Sequence, residues 1–372
     1  MSTSAADRSP ARTASTTGTA PAHDGAPATG AATGRPAPRI GFVAQVDHSA
    51  LDEGRALFRS AEELGYDAGY VRVRHLQDAL PSPLLFLSAL AQHTERIELG
   101  TAVIPLRFEN AGRLAEDLAT AHLLTGGRLR AGLAPGYSAH DAIYARAFGA
   151  LQGDHRDHVD RILHDLLSFL DGEIVAGADA HIEEVEPGTP LRLQPRAPGL
   201  RERLAYGAAS PERAALAGRL GLGLQLATMA PDDGSGRSFA QLQLEALRAY
   251  REASLGAGHG EGRVMVSRQM LPVLDEAELE RFTTLIPRER SAEAGVLAEH
   301  RRTELGGREA VYGPVVLDEP VAVAQALLAD PVVLEADEIA LVLPPGAPLE
   351  DSTRTLGTFA QHVLPHLLAA LP

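Results

Sequence analysis

Apolar residues along the chain alternate between two rhythms. Short, β-branched runs bounded by Gly or Pro read as buried strands: Ile40–Val46, Ala68–Val73, Glu98–Ile104, Arg128–Ala134, Arg203–Ala209, Gly221–Ala227, Arg263–Gln269 and Glu338–Leu343. Between them the apolar positions fall at helical spacing, over Leu51–Leu64, Arg113–Leu124, His155–Leu170, Pro211–Leu220, Phe239–Ala253, Val321–Leu328 and Thr353–Leu368. Ser82-Pro83 opens one more helix, with serine as N-cap and proline at the first helical position. That helix carries Leu84, Leu85, Phe86, Leu87, Leu90 and Ala91, so it is apolar nearly all round. The surplus face predicts self-association, most simply as a homodimer. Gly126-Gly127 ends the helix that begins at Arg113, because glycine tolerates the left-handed conformation of a helix stop.

Strand, crossover helix, strand is the unit of a parallel sheet. Eight such strands predict an α/β fold, a (β/α)8 TIM barrel with insertions after strands 4 and 7. A doubly wound sheet is the alternative. After strand 4 comes a polar, small-residue stretch, and residues 172–200 are rich in Pro and Gly with room for a short hairpin. After strand 7, Ala277–Leu305 is charged and predicts a helix broken near Pro287.

Composition changes the picture at one end. Met1–Pro38 is Ala, Thr, Pro, Gly and Ser with almost nothing large and apolar, so it predicts a disordered tail ahead of a barrel domain over 39–372. The net charge of −15 argues against a nucleic-acid partner. No apolar run reaches the length of a membrane span. The chain has no cysteine, which removes thiol catalysis and thiolate metal sites and fits a cytoplasmic location.

In such barrels the chemistry lies at the C-terminal ends of the strands. Arg74 and His75 end strand 2; histidine suits proton transfer near neutrality, although a strand-end histidine that only satisfies backbone groups is an equal reading. Thr101, Ala102 and Val103 end strand 3, and their small size admits a ligand close to the backbone, or simply closes a buried strand. Gly207-Ala208-Ala209-Ser210-Pro211 joins strand 5 to its helix and reads as an anion-binding N-terminus or an ordinary serine cap. Gly136 and Tyr137 follow strand 4. Glu116 and Asp117 read as a solvated first helical turn. His155, His158 and His164 are poorly spaced for one metal ion, so no metal is expected.

The stretch Ile97–Tyr137 resembles the bacterial luciferase-like flavin monooxygenases. Their pattern of LGTAV-x-P, R-x-AED and SGGRL is matched by Gly100-Thr101-Ala102-Val103, Arg113, Ala115-Glu116-Asp117 and Gly126-Gly127-Arg128-Leu129. The resemblance runs more weakly from about Ile40 to the C-terminus. It implies a two-component monooxygenase: a separate flavin reductase supplies reduced FMN, dioxygen forms a peroxyflavin, and a small organic substrate such as an aldehyde is oxygenated. It implies that His75 positions or protonates that species, and that Thr101, Ala102 and Val103 lie under the flavin with a cis peptide between the last two. It sets Gly207, Ala209 and Ser210 at the phosphate, and Gly136 and Tyr137 against the cofactor. Two positions depart from the family: Arg74 stands where a first histidine is expected, and Pro135 where luciferase has a phosphate-binding arginine. An F420-dependent oxidoreductase of the same superfamily and a catalytically silent partner subunit are the alternatives.

Overall fold

The computed structural model describes residues 36–136, 141–177, 185–208, 210–286, 298–304 and 308–371. The tail expected over Met1–Pro38 therefore lies almost wholly outside the described residues. Eight parallel strands form the barrel: β1 (Arg39–Ala44), β2 (Ala68–Val71), β3 (Glu98–Pro105), β4 (Leu129–Ala134), β5 (Leu204–Gly207), β6 (Gly223–Leu226), β7 (Val264–Pro272) and β8 (Glu338–Val342). Each pairs with the next, and β8 returns to β1 with Ile339 opposite Ile40, which closes the ring.

The interior closes because large side chains from some strands meet glycine on others. A Cβ on Gly100 would lie 2.4 Å from the Tyr70 ring, and one on Gly132 would lie 2.3 Å from Gln225 Oε1. Val43, Ala68, Tyr70, Met265 and Ala340 form an inner cluster with Ala102 and Val342 packed on it. The larger cluster lies between strands and helices, where α1 (Leu51–Glu63) contributes Leu57, Phe58 and Ala61.

Helix boundaries follow local chemistry. α2 (Pro83–Leu90) starts with proline, though the Ser82 side chain makes no capping bond. Asn110 caps α3 (Ala111–Leu124) by accepting from Arg113 N, and Gly126 and Gly127 follow it at φ 60° and 81°. Asp154 caps α4 (His155–Asp171), which turns Val159, Ile162, Leu163, Leu166 and Leu167 inward. α5 (Pro211–Arg219) and α6 (Phe239–Gly256) are capped by Ser210 and Ser238, the latter in a reciprocal capping box with Gln241. Two further helices, Pro320–Leu328 and Leu349–Thr358, flank β8.

The insertion after β4 holds the expected short hairpin, Ala176–Gly177 against Pro190–Leu191. It also holds a helix, Asp141–Phe148, in the stretch read as polar and small-residue. The helix expected over Ala277–Leu305 is corrected. Only Glu276–Thr283 is helical, and His300–Glu304 pairs antiparallel with Arg308–Tyr312. That second strand also pairs with Met229–Pro231, just after β6. A strand whose partner lies some 80 residues upstream leaves no local periodicity, so charge alone misread it as a solvated helix. Residues 287–297, including the expected break at Pro287, lie outside the described residues.

Candidate active site at the barrel mouth

The site starts from a break in the β3–β4 ladder. Thr101 pairs with Ala131 and Ile104 with Leu133, so Ala102 and Val103 fall in a register shift. The Ala102–Val103 peptide is cis, as the motif leads one to expect. Both residues are half-buried in an otherwise buried strand end. They therefore present a flat, short-chained floor at the mouth. Thr101 is fully buried in the wall below, where its Oγ1 donates to Gly132 O at 2.8 Å and its carbonyl accepts from Gln225 Nε2 at 3.3 Å. Gly207 borders Val103; a Cβ there would stand 3.2 Å from Val103 Cγ1 and 3.4 Å from Ala134 Cβ.

One wall comes from the end of β2. Side chains alternate along a strand, so Arg72 and Arg74 follow Tyr70 to the inner face while Val71 and Val73 pack outward in the core. Both arginines are half-buried, and Arg72 N continues the ladder to Ala44 O at 2.9 Å. Burial, and then the charge of Arg72, push the Arg74 guanidinium down to about 10. Burial lowers Arg72 as well. His75 comes next. Its ring meets Phe108 and Phe148 edge-on, each at 4.8 Å between centroids, and Nε2 is buried without a hydrogen-bond partner. Burial holds its pKa below the ordinary histidine value, so the imidazole is neutral at pH 7. Tyr144 completes this aromatic wall, 4.7 Å from Phe108.

The wall is held by Arg107. Its side chain is fully buried, donates through Nε and Nη2 to the Asp141 carboxylate, and reaches Gly149 O at 2.9 Å. Asp141 begins the helix that carries Tyr144 and Phe148, so this ion pair locks that helix to the β3 loop. Gly136 belongs to the same corner at φ 83°, where a Cβ would lie 2.9 Å from Pro105 Cβ. Pro135 accepts from Arg107 N at 3.2 Å.

On the far side, Ser210 Oγ accepts from Arg213 N at 3.4 Å at the start of α5. The Arg213 guanidinium is engaged by Asp160, at 2.5 and 2.9 Å, and by Tyr206 Oη at 2.7 Å. It is therefore a brace between α4 and α5 rather than a cation open to a ligand. Arg156, which bonds Glu212 and stands 3.8 Å from Asp160, is the exposed cation beside that helix start.

Of the residues singled out from the sequence, Ala102, Val103 and Gly207 come together, and His75 and Arg74 stand on the adjoining wall. Tyr137 and Ala209 lie outside the described residues. Glu116 and Asp117 face solvent and pair with Arg113. The sequence reading missed Arg72, Phe108, Tyr144, Phe148 and the Arg107–Asp141 pair. The alternation Tyr70, Arg72, Arg74 was there to be used, as was the helical spacing of Tyr144 and Phe148. Nothing local announces that Arg107 and Asp141 meet.

The model of the family described as luciferase-like monooxygenase matches residues 26–331. An F420-dependent glucose-6-phosphate dehydrogenase of Beutenbergia cavernae is 26% identical over 298 residues, 70% of this chain and 84% of that protein. Among solved structures, the monooxygenase RslO1 of Streptomyces bottropensis superposes with a TM-score of 0.64 at 21% identity, covering 88% of this chain and 99% of that one. The oxygenating constituent of 3,6-diketocamphane monooxygenase of Pseudomonas putida, in complex with FMN, superposes at 0.63 with 17% identity, covering 89% and 99%. At these identities the structural likenesses establish the barrel, while the match of the family model over most of the length establishes descent: the chain belongs to the luciferase-like monooxygenase family, whose members are oxidoreductases.

Proposed function

We propose that the protein is a flavin-dependent monooxygenase that takes reduced FMN from a separate reductase and oxidises a small organic substrate, acting in the cytoplasm. The observation that carries this is the half-exposed floor of Ala102 and Val103 bordered by Gly207. It offers a planar ring a surface with no side chain longer than valine. The residues fit such a group on a second count, since His75 Nε2 is buried and unpartnered at the edge of that floor. When bound, reduced FMN supplies the electrons that activate dioxygen.

The chain's own residues do the rest. Gly207 and the floor set the depth of the ring. Ser210 and the Glu212 amide at the start of α5 take the phosphate, helped by the positive end of the helix. With Pro135 in place of an arginine and Arg213 engaged elsewhere, that grip is weak, and the flavin behaves as a diffusing substrate. Phe108, Tyr144 and Phe148 exclude water. Neutral His75 holds or passes a proton at Nε2. Arg72 and Arg74 bring positive charge to the mouth, which favours a substrate bearing a carboxylate or similar anion.

One finding favours a second reading. The F420-dependent dehydrogenase matches across 84% of its length, and the same floor would serve hydride transfer from a deazaflavin. Anaerobic titration with reduced FMN and with reduced F420 separates the two. Ser210→Asp sets a carboxylate against the phosphate and should abolish FMN binding without lowering the melting temperature. Tight yellow FMN on purification, or FMN affinity indifferent to Ser210→Asp, would put the phosphate elsewhere.

A further inference from the structure

The opposite end of the barrel carries a second concentration of charge that the mouth does not need. A cavity of about 90 Å³ opens at the N-terminal ends of the strands, lined by Arg39, Arg130, Arg203, Arg263, Tyr70 and Glu338 among others. Carboxylates are too few there. Glu98 alone is shared by Arg39 at 2.6 Å, Arg130 at 2.8 Å and Arg203. Glu338 takes Tyr70 Oη at 2.6 Å and lies 3.3 Å from Arg130. Asp337 also lines the cavity, but its Oδ2 is turned to Arg251 at 2.8 Å and Val264 N at 2.7 Å. The Arg263 guanidinium donates to a backbone oxygen, Glu202 O, and makes no ion pair among the described residues.

Four guanidiniums thus face three carboxylates, Glu98, Glu338 and Asp337, and the last of these is already paired with Arg251. The excess is felt: burial and then the charge of Arg130 lower Arg263. One buried donor at the cavity, Arg39 Nε, has no hydrogen-bond partner; Gln225 Oε1 and Glu338 Oε2, the latter 3.3 Å from Arg130, are buried acceptors without one, which only a proton-bearing ligand such as hydrogen phosphate can meet. Buried polar atoms and like charges persist at low cost only when something completes them. Burial also pushes the Glu338 carboxyl up from the ordinary carboxylate value.

We propose that this cavity is an anion site for inorganic phosphate, held by Arg39, Arg203 and Arg263 across the bases of β1, β5 and β7. Guanidinium forks match a tetrahedral oxyanion, and bridging three strands ties the ring where no chemistry occurs. The site is independent of the flavin reading.

Equilibrium dialysis with radiolabelled inorganic phosphate, at ionic strength fixed with sodium chloride, tests it. One phosphate per chain should bind to the full-length protein and to Ser210→Asp, which disables the mouth, and should be lost in Arg263→Gln. Thermal melting gives a second measurement on the unmodified protein. Its midpoint should climb by about 2 °C per tenfold phosphate above saturation, with no such climb in sodium chloride. Binding that survives Arg263→Gln, binding that disappears in Ser210→Asp, or a midpoint indifferent to phosphate would each overturn the proposal.

Discussion

Replacing Asp141 with asparagine should cost the protein about 3–5 kcal/mol, far more than an ordinary surface substitution. The Arg107 side chain has no exposed area and Asp141 only 19%. At the 2.9 Å of the Nη2–Oδ2 contact, and with an effective dielectric of about 20, the attraction is about 6 kcal/mol. Removing the charge leaves a buried guanidinium with Gly149 O as its remaining acceptor and Nη1 already unpartnered. An uncompensated charge of this kind typically costs about 3–5 kcal/mol. For a domain of roughly 330 residues that corresponds to a fall of about 4–7 °C in melting temperature. Urea denaturation should show a lower midpoint with an unchanged slope, and the amides of residues 141–148 should exchange faster. Arg107→Met combined with Asp141→Leu should recover most of the loss, because the pair is then replaced rather than broken. A loss below about 1 kcal/mol for Asp141→Asn would mean the pair behaves like a solvated one. The account of how the aromatic wall is held would then be wrong.

Other expectations are equally direct. His75→Phe should keep the fold and reduce turnover. Because burial depresses the folded-state pKa, wild type loses stability as pH falls below about 6.5, the unfolded value, and the variant should lose less, as urea midpoints at pH 5 and 8 would reveal. Glu109 runs the other way: burial and then Asp117 raise it to about 7, so its contribution declines as pH rises from about 4.5 through 7. Glu109→Gln should therefore stabilise at pH 8 and change little at pH 4; equal effects at both would contradict the shift. Leu85 on α2 is 76% exposed, and Leu85→Glu should convert a dimer to a monomer by light scattering, whereas a wild-type monomer at micromolar concentration would remove the dimer reading.

The barrel was legible because its evidence is local. Each strand announced itself by a short apolar run, and each helix by period, cap or glycine stop, so the observed strand starts lie within two residues of the expected ones, and those at Ala68, Glu98 and Glu338 coincide. The floor was legible through the run Gly100–Val103. The wall was not, because it depends on a meeting: Arg107 and Asp141 are 34 residues apart, and either alone reads as a surface charge. The hairpin after β7 failed for the same reason, its partner at Met229–Pro231 being invisible to any window. Arg72 is a different case. It was one pleat from a residue already singled out, and the alternation of β2 would have found it.

The three-stranded sheet of Met229–Pro231, Arg308–Tyr312 and His300–Glu304 joins the loop after β6 to the loop after β7. Ala230 and Val311 share a core with Phe239 and Leu242, Arg301 reaches Asp232 at 2.8 Å, and Glu299 accepts from Phe239 N at 2.8 Å. Gly313 closes the joint, since a Cβ there would strike Phe239 at 2.6 Å. The two loops are thus a single transplantable module. A chimera that swaps either loop from a relative without the other inherits half an interface, whereas exchanging residues 229–242 and 298–313 together carries the seam along intact.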